Sequence, residues 1–290
     1  MIDIHGNSLK PGGLVLRGNL HCHTTLSDGV LDPISLIRAY EERGYHFLAI
    51  SDHHVLARPD DYRSSTSLVL LSALEVCEPH IICVGVPHGN LSNPDHQKTI
   101  DAVRSMGGFA VLNHPNWGED FCHWPQEKLE SLSGYAGIEI YNGVIGRLEG
   151  SSLATDRWDR LLSKGRQCWG FAHDDSHRPK DIGKGWVCVQ ADERSPEAIC
   201  RSLIEGRFYA STGVEIEELA VENGHIRVKA PGSHCVKFIG RWGRELFEVE
   251  GEEAEYAPTG NELYVRVECL GCGGRAAWTQ PFWVSRRPEG

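Results

Sequence analysis

The sequence lacks the features that would tie the chain to a membrane or to a long polyanion. Its apolar runs are short, and none approaches the roughly 20 residues of a bilayer span. Met1-Ile2-Asp3-Ile4-His5-Gly6 has neither the basic start nor the apolar stretch of an export signal, so a soluble, cytoplasmic protein is expected. Positive charge is in deficit, with 29 Lys and Arg against 40 Asp and Glu for a formal net charge of −11. Long nucleic acid would meet net repulsion and is not expected as a partner, nor is a membrane, while nothing indicates an oligomeric partner. No phosphate-cradling P-loop and no Gly-x-Ser-x-Gly turn is present, which argues against P-loop nucleotide chemistry and covalent serine catalysis. Paired cysteine motifs are also scarce. Of 10 cysteines only Cys269 and Cys272 form a C-x-x-C pair, and no second pair completes a tetrahedral zinc site. Scattered through strand-like and helix-like segments, they read as free thiols, with Cys269 and Cys272 in a turn between two strands.

What is present is ordinary globular material: 290 residues, 40% hydrophobic and 24% charged, enough for one large domain and a small appendage. Short apolar runs at 14–20, 45–51, 68–74, 109–112, 137–141 and 168–172 read as strands, with 81–86 a return strand. Amphipathic stretches at 33–42, 95–106, 126–132, 151–163 and 196–205 read as helices, several opened by proline or stopped by glycine. This alternation predicts an α/β architecture through residue 212. From 213 to 290 the texture changes to alternating segments such as Ile226-Arg227-Val228-Lys229, so a β-rich, antiparallel C-terminal unit is expected there.

The chemistry lies where these strands end. His21 and His23 close the first run, and in an extended chain two residues separated by one point to the same side. Asp28 follows in a Ser-Asp-Gly turn. The second run ends in Asp52-His53-His54, the third in Glu75, the fourth in Asn113-His114-Pro115 and the sixth in His173-Asp174-Asp175-Ser176-His177. In a parallel barrel the carboxyl ends of strands converge on one mouth, so groups distant in sequence become neighbours. Imidazole and carboxylate together suit zinc, manganese or iron better than magnesium or calcium, and point to a multinuclear site. His46, His80, His88, His96, His225 and His234 have no partner motif and read as surface or structural. His54 faces away from His53 if the chain stays extended. Trp117 and Trp124 either wall a substrate pocket or pack under a long loop.

The ordered set His-x-His, Ser-Asp-Gly, Asp-His, a strand-end glutamate, His-Pro and Asp-x-His, over about residues 14 to 212, resembles the motifs of the PHP (polymerase and histidinol phosphatase) superfamily. The resemblance implies a distorted seven-stranded (β/α) barrel with two or three divalent metals at its mouth. Position by position, it implies one metal site of His21, His23, Glu75 and Asp175 and another of Asp28, His53 and His177. Glu75 would bridge towards a further position served by His114. Asn142 stands where related proteins often carry histidine, so a third metal is expected to be held only partly. Gly206-Arg207-Phe208-Tyr209-Ala210-Ser211-Thr212-Gly213 and Ala277-Trp278-Thr279-Gln280-Pro281-Phe282-Trp283-Val284 resemble the carbaryl-hydrolase-like branch, which carries a β-extension packed on the barrel.

The expected chemistry is hydrolysis of a small phosphorylated molecule by metal-bound hydroxide. Asp175 and Glu75 would hold the metals. Arg178 would clamp the phosphate or, equally, form a salt bridge on its loop, and Lys180 and Arg147 are weaker candidates. Hydrolysis of carboxyl, carbamate or amide esters by the same centre is the alternative. A metal-stabilised binding domain without turnover is the second, against which the near-complete ligand set counts.

Overall fold

The computed structural model describes residues 2–9, 12–78, 80–91 and 93–286. Capping chemistry places the starts of the first and last helices. Asp32 accepts the N–H groups of Ile34 and Ser35 to open Pro33–Glu41. Ser195 caps Pro196–Glu205, and Gly206 closes it at φ 75°. Helices His96–Ser105, Gln126–Ser131 and Thr155–Ser163 fall within a few residues of the segments expected from periodicity.

Strands Leu14–Asn19, Phe47–Ala49 and Val69–Leu71 pair in parallel. A second parallel set is Phe109–Leu112, Gly137–Asn142 and Trp169–His173. Phe109–Leu112 and Trp169–His173 are buried throughout, as strands covered on both faces must be. In place of one continuous barrel ladder, these strands lie in separate sheets of a mixed α/β fold. The cause is local. A parallel pair needs a crossover of about a dozen residues or more, whereas Ala73–Val76 turns back directly into Ile81–Val84, which then runs antiparallel to Phe109–Leu112. The chain also breaks at Ser72, and Trp186–Ala191 enters antiparallel to Leu14–Asn19. Two isolated bridges, Cys22 with Ser176 and His53 with Glu75, tie strand ends together at the rim.

Beyond Trp186–Ala191 the same sheet continues through Phe208–Ser211, Ala276–Thr279, Tyr264–Gly271, Phe282–Arg286 and the N-terminal Ile2–His5, with Ser233–Gly240 and Arg244–Glu250 attached to Tyr264–Gly271. A separate antiparallel sheet holds Glu218–Glu222, His225–Lys229 and Glu253–Tyr256. In the middle strand Ile226 and Val228 are buried while Arg227 is exposed, the two-residue period of a half-covered sheet. The extension is locked to the core by polar contacts. Arg266 donates two bonds of 2.8 and 2.7 Å to Asp159 on Thr155–Ser163, and Gln280 exchanges a pair of 2.9 Å bonds with the backbone of Gly170. Cys269 lies within strand Tyr264–Gly271 and Cys272 in the turn that follows it, and all ten cysteines are free. Among the described residues no helix is long and apolar enough to cross a membrane.

Candidate metal centre

His21 and His23 follow the end of Leu14–Asn19, and their Nε2 atoms converge. Each lies 3.2 Å from Asp175 Oδ1 and 3.5 Å from Glu75 Oε2. Asp175 reaches this point because its backbone takes φ 53°, and His114 takes φ 32°. Non-glycine residues rarely occupy this left-handed region, and here it re-aims side chains as the strands end. Backbone bonds of 2.9 Å from Asp175 N–H to His21 carbonyl and from His23 N–H to Ser176 carbonyl clip the two segments together.

A second group forms beside the first. Asp28 lies 3.6 Å from His53 Nε2, 3.2 Å from His177 Nε2 and 3.7 Å from His23 Nδ1. Asp52 builds the turn that carries Asp28, accepting bonds of 2.7 Å from Thr24 N–H, 2.6 Å from Thr24 Oγ1 and 2.5 Å from Ser27 Oγ. Any side chain at Gly29 would strike the His23 carbonyl, so the tight Ser27-Asp28-Gly29 turn needs glycine there. His114 Nε2 and His80 Nδ1 approach Glu75 Oε1 at 3.7 and 3.3 Å. The eight residues expected as ligands, His21, His23, Asp28, His53, Glu75, His114, Asp175 and His177, are thus brought together in overlapping groups whose ligand-type atoms lie within 4.8 Å of one another. Among the described residues no such group includes a residue beyond 177.

Sequence reasoning passed over three participants. Glu139, buried in Gly137–Asn142, accepts from His21 Nδ1 at 2.7 Å and His173 Nδ1 at 2.8 Å, while its other oxygen takes the His114 N–H at 2.7 Å. A lone acidic residue inside an otherwise apolar strand was the available signal. Asn142 donates to Glu139 at 2.9 Å and to Asp175 at 3.1 Å, bracing the carboxylate. His80, read from sequence as structural or exposed, faces Glu75 instead. Glu78 and His80 both adopt positive φ, 45° and 58°, and the resulting turn folds the imidazole back over the rim. Arg178 is exposed at the mouth, and Arg147 is engaged by Asp181 through bonds of 3.2 and 3.1 Å. Trp117 lines the cavity, whereas Trp124 is packed in the core.

Burial alone would raise the carboxyls of Glu75 and Asp175, yet His21 and the neighbouring imidazoles hold both below the ordinary carboxylate range. Hydrogen bonds from His177 and His53 lower Asp28. Burial opposes a charge on His53, but Asp28, Cys77 and Glu75 raise it to about 12, and Asp28 raises His177 against the same opposition. The carboxylates are ionised, and without a metal His53 and His177 beside Asp28 hold protons that a cation would replace. His21 Nε2, His23 Nε2, His173 Nε2, His114 Nδ1 and Asp175 Oδ1 are buried and make no directed hydrogen bond. Beside them opens a cavity of about 360 Å³ lined by Trp117, Val144, Ile145, Leu148, Arg147 and Arg178.

No family model matches the sequence. Over 43 residues, 15% of this chain and 16% of the relative, the sequence is 44% identical to a 5'-3' exoribonuclease of Haemophilus influenzae. Over 143 residues, 44% of this chain and 82% of the relative, it is 21% identical to an uncharacterized protein of Methanocaldococcus jannaschii. Among solved structures it is similar to a two-domain protein from Bacteroides vulgatus containing a predicted PHP-like metal-dependent phosphoesterase. There the TM-score is 0.55 and the identity 18%, across 96% of this chain and 90% of that one. The chain therefore has a PHP-like fold.

Proposed function

We propose that this chain is a metal-dependent hydrolase holding two divalent transition metals, zinc, manganese or iron, and that it cleaves a small phosphate ester. The observation that carries the reading is the convergence of His21 Nε2, His23 Nε2 and Asp175 Oδ1, buried and without hydrogen bonds. Leaving such atoms bare is costly unless a ligand satisfies them, and mixed nitrogen and carboxylate donors fit these metals. His21, His23, Glu75 and Asp175 would hold one ion, and Asp28, His53 and His177 the other. When bound, such metals supply Lewis acidity that polarises an ester and acidifies water.

The chain's own residues arrange the rest. Glu139 receives the Nδ1 proton of His21, which leaves Nε2 free as a donor towards the rim. Cys77 Sγ at 2.8 Å and Glu75 Oε2 at 3.0 Å both face His53 Nδ1, which turns Nε2 of that imidazole towards Asp28. Ser27 Oγ is committed to Asp52 and Ser176 Oγ faces Tyr40, which favours water over a side-chain hydroxyl as the attacking group. Arg178 at the mouth would draw an anionic substrate and hold its phosphate. A cavity of about 360 Å³ suits a small molecule. The PHP-like phosphoesterase resemblance and the short match to an exoribonuclease support phosphoric ester chemistry.

The apolar wall of Val144, Ile145 and Leu148 favours a second reading, hydrolysis of an uncharged carboxyl, carbamate or amide ester. The test is to load the protein with zinc, manganese or iron and assay phosphomonoesters, phosphodiesters, carboxyl esters and carbamates. Cleavage of a phosphoester supports the proposal. Cleavage of carbamates or carboxyl esters alone would replace it with the second reading, and a fully metallated protein that cleaves none would favour a binding domain.

A further inference from the structure

We propose that Arg17, held between the rings of Tyr45 and Trp186, anchors a second ligand site that takes a small molecule carrying one carboxylate on a flat apolar body. The site lies on the near side of strand Leu14–Asn19, whereas the metal centre lies beyond its end, and it does not depend on the metal reading.

Strand register brings the parts together. Arg17 is paired with Cys188 on Trp186–Ala191, and Cys188 with Tyr209 on Phe208–Ser211, so the three side chains stand side by side on one face of the sheet. Trp186, two residues before Cys188, is on that face as well. The chain then leaves for the β-extension, and the Tyr209 hydroxyl accepts the Ile216 N–H at 3.1 Å, which fastens this segment over the same face. A cavity of about 860 Å³ opens here, with Leu9, Arg17, Trp186, Tyr209, Glu215 and Ile216 in its wall. It shares no residue with the cavity at the metal centre.

The Arg17 guanidinium carbon stands 3.6 Å from the centre of the Trp186 ring and 4.2 Å from that of Tyr45. With aromatic rings against the group, its N–H edge is what remains for a ligand. Nε is buried and makes no directed hydrogen bond, and among the described residues no carboxylate forms an ion pair with Arg17. Nor do its polar neighbours carry a balancing charge. Burial holds the Tyr45 phenol well above its ordinary pKa and pushes the Cys188 thiol up to about 11, while burial, Arg194 and Arg17 keep His46 neutral. A half-buried cation without a counter-charge favours an anion that supplies one, and a carboxylate matches the planar fork with two parallel bonds. Leu9, Trp186 and Ile216 offer apolar surface to the rest of the molecule. One negative charge suits this cavity better than two. Glu217 pairs with Lys229 at 3.4 Å and Arg43 gives Nη1 to the Ala39 carbonyl at 2.8 Å, but Glu215, exposed in the same wall, is in no ion pair among the described residues. A phosphate dianion would be repelled by that carboxylate more strongly than a monocarboxylate would.

The test is calorimetric titration of benzoate into the full chain, with inorganic phosphate as the comparison. Wild type should bind one equivalent of benzoate, and Asp175→Ala, altered at the metal centre alone, should bind it equally well. Arg17→Met keeps an apolar stem between the rings but removes the charge, and should weaken binding at least about 10-fold. Arg17→Lys, with the charge but not the fork, should fall between the two. Glu215→Gln, on an exposed side chain, should tighten binding a few-fold, and it carries the test if circular dichroism shows the Arg17 variants unfolded. Absence of saturable benzoate binding to wild type, undiminished binding in a folded Arg17→Met, or no tightening in Glu215→Gln would overturn the inference. So would loss of binding in Asp175→Ala, which would put benzoate on the metals. Arg17-dependent binding of phosphate without binding of benzoate would overturn the choice of a carboxylate ligand.

Discussion

Where the β-extension meets helix Thr155–Ser163, Asp159 and Arg266 bury their charges about as deeply as Glu75 and Asp175 do at the rim, yet the two clusters are finished differently. At the junction Arg266 gives Nε and Nη2 to Asp159 and Nη1 to Glu268 at 2.6 Å, and Tyr264 adds its hydroxyl to Asp159 at 2.7 Å. At the rim, Asp175 Oδ1 and the Nε2 atoms of His21, His23 and His173 are equally dry but make no directed hydrogen bond. A buried ionic cluster that satisfies itself holds parts of a fold together, whereas one left open costs stability that a ligand must offset. The difference separates structural from functional polarity in a molecule where both are internal.

The largest expected break in that contrast comes from Asp175→Ala, which should reduce metal-dependent turnover to background and lower metal content by elemental analysis, while the junction stays intact. Next is Arg266→Met. It leaves Asp159 buried and unpaired, and should cost about 3–5 kcal/mol of stability, read by denaturant unfolding, without reducing the metal content of the folded protein. Glu139→Gln tests the layer behind the ligands. Loss of the carboxylate that orients His21 and His173 should weaken metal affinity about 10–100-fold in competition with a chelator.

These sites differ in how much of them the sequence shows. The strand ends carrying His21, His23, His53, Glu75 and His114 are legible because each apolar run stops abruptly at a metal-capable residue. Helix Pro196–Glu205 is legible because Ser195, Pro196 and Gly206 mark its ends. Periodicity identifies a strand but not its partner. The segment 81–86, expected as a return strand, does pair antiparallel, but nothing local in Trp186–Ala191 says that it enters antiparallel to Leu14–Asn19, and the break at Ser72 lies inside one apolar run. His80 was missed because its direction depends on a left-handed turn that no composition rule predicts for histidine. Glu139 was missed as a participant because its partners, His21 and His173, lie 118 and 34 residues away.

Smaller effects sharpen the comparison further. Arg178→Ala should raise KM for a phosphoester several-fold and change kcat little, since the side chain is exposed at the mouth and touches no ligand group; unchanged KM would remove it from substrate binding. Replacing Cys269 and Cys272 by Ser should change metal content not at all, because neither thiol belongs to a metal-capable group among the described residues. Loss of a metal in that double variant would move a binding site into the extension.

The central claim is that the open cluster at the rim exists to bind metal. Elemental analysis of the purified chain, after reconstitution with zinc, manganese or iron and removal of loosely held ions, tests it most directly. The account predicts at least two metals per chain, falling in Asp175→Ala but not in Arg266→Met. Fewer than one metal per wild-type chain under all three reconstitutions would contradict it.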